Sequence, residues 1–338
     1  MRQGWIPIRV FWRGAEPMVD WCLLGRRRFT DPFFETTILR HLDHPFHHAF
    51  RRQTPIEALA GWSEKSPGIR PSGFIFHESR CGSTVICRML AALEQNVVLA
   101  EPIPADSILR AHFRRPEIPT EQRIAWFRWM ISALGQRRGG EERHLFVKFD
   151  AWNIAELPVI RQAFPETPWI FLYRDPVEVL VSQLNQPSPW TIPSILHPAV
   201  VGIDPNSIVQ LPHGEYCARL LARICQLGLL HHRNHGGLLV NYRQLTEFVC
   251  TDLLQHFGIR YAAADLDRMR SAARDNAKQP ELPFTPDSRA KQESAAESVR
   301  ELARRWMEPA YQELETARQA AACVSGDSAR SRSSRSPG

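Results

Sequence analysis

Residues 74–90 read FIFHESRCGSTVICRML, an apolar run that stops at His77 and resumes beyond Thr84 with a different period. Phe74, Ile75 and Phe76 are bulky β-formers, whereas Val85, Ile86, Met89, Leu90 and Leu93 recur at the spacing of one helix face. The segment reads as strand, tight loop and helix. Such a loop aims backbone N–H groups and the positive end of the helix dipole at one point, and Gly82 lets the backbone approach whatever lies there. Ser79, Arg80, Cys81, Gly82, Ser83 and Thr84 thus form a candidate anion cradle, suited to a phosphate or phosphosulfate. The plainer alternative is an ordinary βα turn whose hydroxyls cap the helix.

Working outward, 338 residues at 43% hydrophobic composition suffice for one large α/β core with additions. No stretch reaches the ~20 apolar residues of a membrane span, and the N-terminal MRQGWIPIRVFWRG carries charges and Trp where a signal peptide needs an apolar run. A cytoplasmic protein is expected. The seven cysteines are scattered and form no C-x-x-C, so neither a disulfide framework nor a zinc site is indicated. A net charge of +6 suits polyanionic partners, yet no stripe of interleaved aromatic and basic residues points to nucleic acid.

Residues 1–62 hold Trp5, Trp12, Trp21 and Trp62 among Arg and His, and read as an N-terminal extension of strands and a short helix, DPFFETTILRHL. The segment SEKSPGIRPSG (63–73) is a junction. Beyond it, apolar runs at 74–77, 97–100, 145–149, 169–173 and 238–242 alternate with helical patterns at 82–94, 121–134, 155–163, 176–185, 213–232 and 244–257. A further long helix falls within 288–320. Near-continuous apolar strands separated by helices mark a parallel sheet covered on both faces. The proline-rich stretch 186–212 reads as a loop or lid, and residues 324–338, ending in Arg-Ser repeats, as a disordered tail.

The run WIFLYRDPVEVLVSQL (169–184) supplies a second anchor. A buried strand ends at Tyr173, Arg174 follows at its carboxyl edge, Asp175 can cap, Pro176 suits the first helical position, and Ser182 lies further along the helix. Open α/β sheets bind ligands at that edge, so Arg174 and Ser182 are candidates to clasp a second anionic group. The plainer alternative pairs Arg174 with Asp175 or Glu178 and leaves Ser182 to packing.

Together the two motifs, strand-S-R-x-G-S-T-helix and strand-R-D-P-x-x-x-x-x-S, resemble the sulfotransferase family that uses 3′-phosphoadenosine-5′-phosphosulfate (PAPS). The resemblance spans residues 73 to about 315 and implies an α/β fold, a P-loop-type parallel β-sheet flanked by helices with an N-terminal extension, its domain at 73–320. It implies that residues 79–84 hold the 5′-phosphosulfate and that Arg174 and Ser182 hold the 3′-phosphate. It also implies PAPS as co-substrate, no metal, and a small-molecule acceptor bearing a hydroxyl or amine. GGLLVNYRQLTEFVCTDLLQHFGI (236–259) is similar to the family's strand ending in Tyr and the helix after it. KQPELPFTPDSRAKQ (278–292) is similar to the C-terminal arrangement of bacterial members. Two departures stand out: Arg80 replaces the common Lys, and the Arg-Lys-Gly of animal members is absent, leaving Lys278 or Lys291 as substitutes.

Sulfuryl transfer needs a base for the acceptor's proton and donors for the charge that builds on the leaving phosphate. Arg80, Ser83, Thr84 and the loop N–H groups suit the second task. For the first, the strand LFVKFDAW (145–152) presents Asp150, the position closest to the family's base, with Glu101 and His77 as the other candidates. Asp150 paired with Lys148 would be a poorer base. The histidine cluster at 41–48 lacks the partners of a metal site, and HHRNHGG (231–237) reads as a helix C-terminus, where cationic side chains suit the dipole and Gly ends the helix. Two readings compete with sulfuryl transfer: a P-loop kinase, which lacks G-x-x-x-x-G-K-[ST], and an inactive PAPS-fold interaction module.

Overall fold

The computed structural model describes residues 4–208, 210–274 and 287–333, and these group into two compact units. The first comprises residues up to 77, 82–170 and 245 onward to the end of the second described stretch; the second comprises 78–81, 171–244 and the C-terminal stretch.

Strands β1 (Trp5–Arg13), β2 (Glu16–Leu23) and β3 (Arg52–Pro55) form an antiparallel sheet in the order β1-β2-β3. The β1–β2 hairpin runs in register from Arg13 opposite Glu16 to Trp5 opposite Leu23, with one irregularity between Pro7 and Arg9. The residues read as an extension therefore contain a complete small sheet, backed by the helix Phe34–Leu42.

The main sheet holds β4 (Pro71–His77), β5 (Asn96–Ala100), β6 (His144–Lys148), β7 (Trp169–Tyr173) and β8 (Leu238–Asn241) in the order β5-β6-β4-β7-β8, parallel and flanked by helices. Every residue of β5 and β7 is buried, the pattern of strands covered on both faces. In the first unit Lys148 stands in register with Ala100 on one side and Ile75 on the other, so the carboxyl ends of three strands share one edge. Behind them lies an aromatic core in which Phe149 stacks on Phe76 at 4.9 Å and meets Phe74 at 5.3 Å. Gly73 is required by packing: a Cβ there would meet the Phe257 ring at 2.6 Å.

The second unit packs the helix Pro176–Asn185 against His213–His235 through Val179, Leu180, Cys217 and Leu221, with Ala303 and Met307 closing the cluster. Three features depart from the sequence reading. The stretch 186–212 contains three short helical turns, Pro189–Thr191, Pro198–Val201 and Pro205–Ile208, each opened by a proline whose fixed φ suits a first helical position. The long C-terminal helix is split: Ser288–Ser294 ends before Ala295, whose extended backbone breaks it, and Glu297–Leu302 begins anew. The last helix, Glu308–Ser333, continues past 324 into the segment read as a tail, carried by the strong helix formers of TARQAAA. Among the described residues, no helix is long and apolar enough to cross a membrane.

Candidate functional site

β4 delivers His77 to the sheet edge, and the chain then turns through the loop that opens the helix Ser83–Ala91. Ser79 and Arg80 adopt φ of 96° and 52°, and Gly82 follows at 89°. Two successive non-glycine residues in that region are strained, a cost met where a backbone must present its amides in a fixed direction. Gly82 is the helix N-cap, and the first turn carries no acidic residue, so nothing on the helix itself offsets its positive end. Ser83 and Thr84 are buried at its start. Thr84 also lines a cavity of about 260 Å³ with Cys87, Arg88 and residues 29–32. Cys81 is filler rather than nucleophile: burial pushes its thiol up to about 12, and it donates to the Leu172 carbonyl at 3.3 Å.

Within the first unit, the strand ends bring the three base candidates together. Glu101, at φ 57°, donates its backbone N–H to the Lys148 carbonyl at 2.7 Å. Its Oε1 lies 2.7 Å from Lys148 Nζ and 3.5 Å from His77 Nε2. Lys148 is 1% exposed, and its ammonium also sits 4.9 Å from the centre of the Phe33 ring. Burial alone would raise the Glu101 carboxyl, but the Lys148 charge and the His77 contact outweigh it and hold it at about 2. Burial lowers Lys148 and is likewise outweighed by Glu101, so the pair is ionised. Burial also lowers His77, leaving it neutral near pH 7.

Asp150 has a different setting. It closes a capping box with Asn153: its side chain accepts from the Asn153 backbone, and its own N–H donates to Asn153 Oδ1 at 3.1 Å. Burial, and after it the charges of Glu101 and Asp106, raise its carboxyl well above the usual carboxylate range. The expected complication, a Lys148–Asp150 pair, is replaced by the Lys148–Glu101 pair. Asp106 supports the box from below, accepting from Asn153 Nδ2 and Trp152 Nε1, both at 2.8 Å, and from the Arg110 fork.

In the second unit Arg174 is 4% exposed and fully engaged. Its Nε donates to Glu178 at 2.5 Å, and its Nη2 to Asp287 at 2.6 Å and to the Ser288 hydroxyl at 3.0 Å. The guanidinium stacks 3.9 Å over the Tyr242 ring. Lys291 Nζ holds the other Asp287 oxygen at 2.7 Å. The alternative of an i,i+4 pair with Glu178 is thus realised, while one face of the fork is met by a carboxylate that is 46% exposed. Ser182 lies half-buried on the same helix, one turn past Glu178. Arg80 directs its guanidinium to the end of that helix, donating to Gln183 at 3.4 Å, to the Gln186 side chain at 3.2 Å and to the Gln186 carbonyl. Lys278 lies outside the described residues.

Four groups were missed by the sequence reading. Glu78 is buried beside the loop, takes the Arg174 N–H at 3.1 Å, and is raised by burial to about 8. Asp106 and Asn153 act through contacts 47 residues apart, with no sequence signal. Asp287 reaches Arg174 across 113 residues, equally without one.

No protein-family model matches the chain, and no curated protein matches it. Among solved structures the chain is similar to a sulfotransferase from Alicyclobacillus acidocaldarius, with 15% identity and a TM-score of 0.43 over 74% of this chain and 96% of that one. It is similar to the sulfotransferase domain from the curacin biosynthetic pathway, at 14% identity and a TM-score of 0.43 over 74% and 96%. A third is the mouse sulfotransferase SULT7A1 complexed with PAP, at 12% identity and a TM-score of 0.39 over 81% and 94%.

Proposed function

We propose that this protein transfers a sulfuryl group from PAPS to the hydroxyl or amine of a small acceptor. The observation that carries the reading is the shared strand edge of the first unit. There β4 runs into the uncompensated start of the Ser83–Ala91 helix, and β5 and β6 end in Glu101, Lys148 and Asp150.

In the proposed step the acceptor oxygen or nitrogen bonds to sulfur as its proton passes to a carboxylate. The bond from sulfur to the bridging phosphate oxygen breaks, and 3′,5′-ADP leaves with that electron pair. Backbone N–H groups at Gly82–Thr84 and the hydroxyls of Ser83 and Thr84 meet the charge that forms on the leaving oxygen. Proton affinity separates the candidate bases. Glu101 at about 2 is too weak a base at neutral pH, whereas burial and the neighbouring charges of Glu101 and Asp106 raise the proton affinity of Asp150. Lys148 keeps Glu101 ionised, and Glu101 in turn keeps Lys148 charged.

The second anchor fits a 3′-phosphate on one side of Arg174. Glu178 occupies Nε, and a phosphate at Nη2 replaces Asp287 as the anion there, with Ser288 and Lys291 as further donors. Incubation with sulfur-labelled PAPS and a panel of alcohols and amines tests the function. Label on an acceptor, together with equimolar 3′,5′-ADP, supports it. Tight 3′,5′-ADP binding with no transfer to any acceptor supports the inactive binding module instead.

A further inference from the structure

The small sheet and its first helix enclose a cavity of about 380 Å³ within the first unit. Its lining includes the apolar side chains of Trp21, Phe34, Ile38 and Ile103. The lining also holds Arg9, Arg51 and Arg52 with Asp20 and Glu35, three guanidiniums to two carboxylates, and His47. Asp20 is buried and already satisfied, accepting from Arg9 Nε at 2.9 Å and Gln53 Nε2 at 2.6 Å. Arg51 gives it a single contact at 3.2 Å and is 63% exposed. A cavity lined by apolar side chains and an exposed guanidinium is complementary to a molecule with an apolar body and one anionic head.

The same backbone frames the strand-end cluster. Phe34 lines the cavity, while its neighbour Phe33 lies under the Lys148 ammonium at 4.9 Å. Ile103 lines it two residues after Glu101, the partner of Lys148 at 2.7 Å. We infer that this cavity binds an amphiphilic anion, an alkyl or aryl body bearing a carboxylate-like head, and that the acceptor belongs to this class and carries its hydroxyl or amine on the body. Only the word acceptor rests on the sulfuryl-transfer reading; the binding does not.

Calorimetry on the full chain without nucleotide, using decanoate, decanol and decyltrimethylammonium as probes, tests the inference. Decanoate binds, decanol binds about tenfold or more weakly, as expected for loss of a charge-assisted hydrogen bond, and the cation does not bind. Arg51→Ala reduces decanoate to the decanol level without changing the melting temperature. Ile38→Trp fills the cavity and abolishes binding. Equal affinities for decanoate and decanol, or decanoate binding indifferent to Arg51→Ala, overturn the inference. 3′,5′-ADP binding, measured on the same preparation, separates the two claims. Decanoate binding without 3′,5′-ADP binding sinks the transferase reading alone; the converse sinks the cavity alone.

Discussion

Asp150 and Glu101 stand at neighbouring strand ends with their proton affinities shifted in opposite directions, and the proposed reaction gives them different work. Asp150→Asn keeps size and hydrogen bonding but is not basic. Transfer therefore falls ~10²–10⁴-fold while 3′,5′-ADP affinity stays within about twofold. Glu101→Gln acts on the fold instead, because it strands the buried Lys148 ammonium; unfolding titrations register a loss of about 3–5 kcal/mol. Normal turnover by Asp150→Asn with an established acceptor contradicts the assignment. At the other anchor, Asp287→Asn removes the carboxylate that competes for Arg174. Calorimetry then shows 3′,5′-ADP bound about two- to fivefold more tightly, the worth of a half-exposed ion pair. Unchanged affinity for 3′,5′-ADP means that Arg174 Nη2 does not meet the 3′-phosphate.

At the scale of elements, the strand-loop-helix of residues 74–91 was legible because a continuous apolar run stops at polar residues and resumes with a helical period. The strands at 97–100, 145–149 and 169–173 were legible for the same reason, their apolar runs being buried on both faces. The N-terminal sheet was only partly so: β1 sets Arg9 and Arg13 among apolar residues without strict alternation, and its pairing depends on a hairpin around Gly14. The site was legible as a list and not as a wiring scheme. Lys148 chose Glu101 over Asp150, two residues away, because parallel register sets β5 beside β6. Arg80, read as an anion ligand by its loop position, also hydrogen-bonds the end of the Pro176–Asn185 helix, a contact with no sequence signal. The loop itself yields a prediction. Gly82→Ala places a side chain at φ 89°, costing about 1–2 kcal/mol of stability. It also crowds the anion's approach, so 3′,5′-ADP affinity falls by more than thermal melting alone accounts for. A loss of stability with intact nucleotide affinity places the anion elsewhere.

The whole molecule carries a pH signature through Glu78. Its folded carboxyl titrates at about 8, far above an unfolded glutamate, so the folded state holds a proton that the unfolded state releases. The contribution is fully present below the unfolded value near 4.3. It declines as pH rises and is lost once pH passes the folded value, at most about 1.4 kcal/mol per pH unit. Denaturant unfolding between pH 5 and 8 therefore shows falling stability, and Glu78→Gln flattens the slope; an identical slope in both proteins removes Glu78 as its source. In the proposed function a nucleotide carrying both a 5′- and a 3′-phosphate binds to protein groups alone. The most direct test is thermal unfolding in EDTA with 3′,5′-ADP, 5′-AMP or ATP. The account predicts stabilisation by 3′,5′-ADP of about 2.7 kcal/mol at one hundred times its dissociation constant, a weaker effect of 5′-AMP, and none of ATP. Stabilisation by ATP that appears only when Mg²⁺ is restored, with none by 3′,5′-ADP, contradicts it.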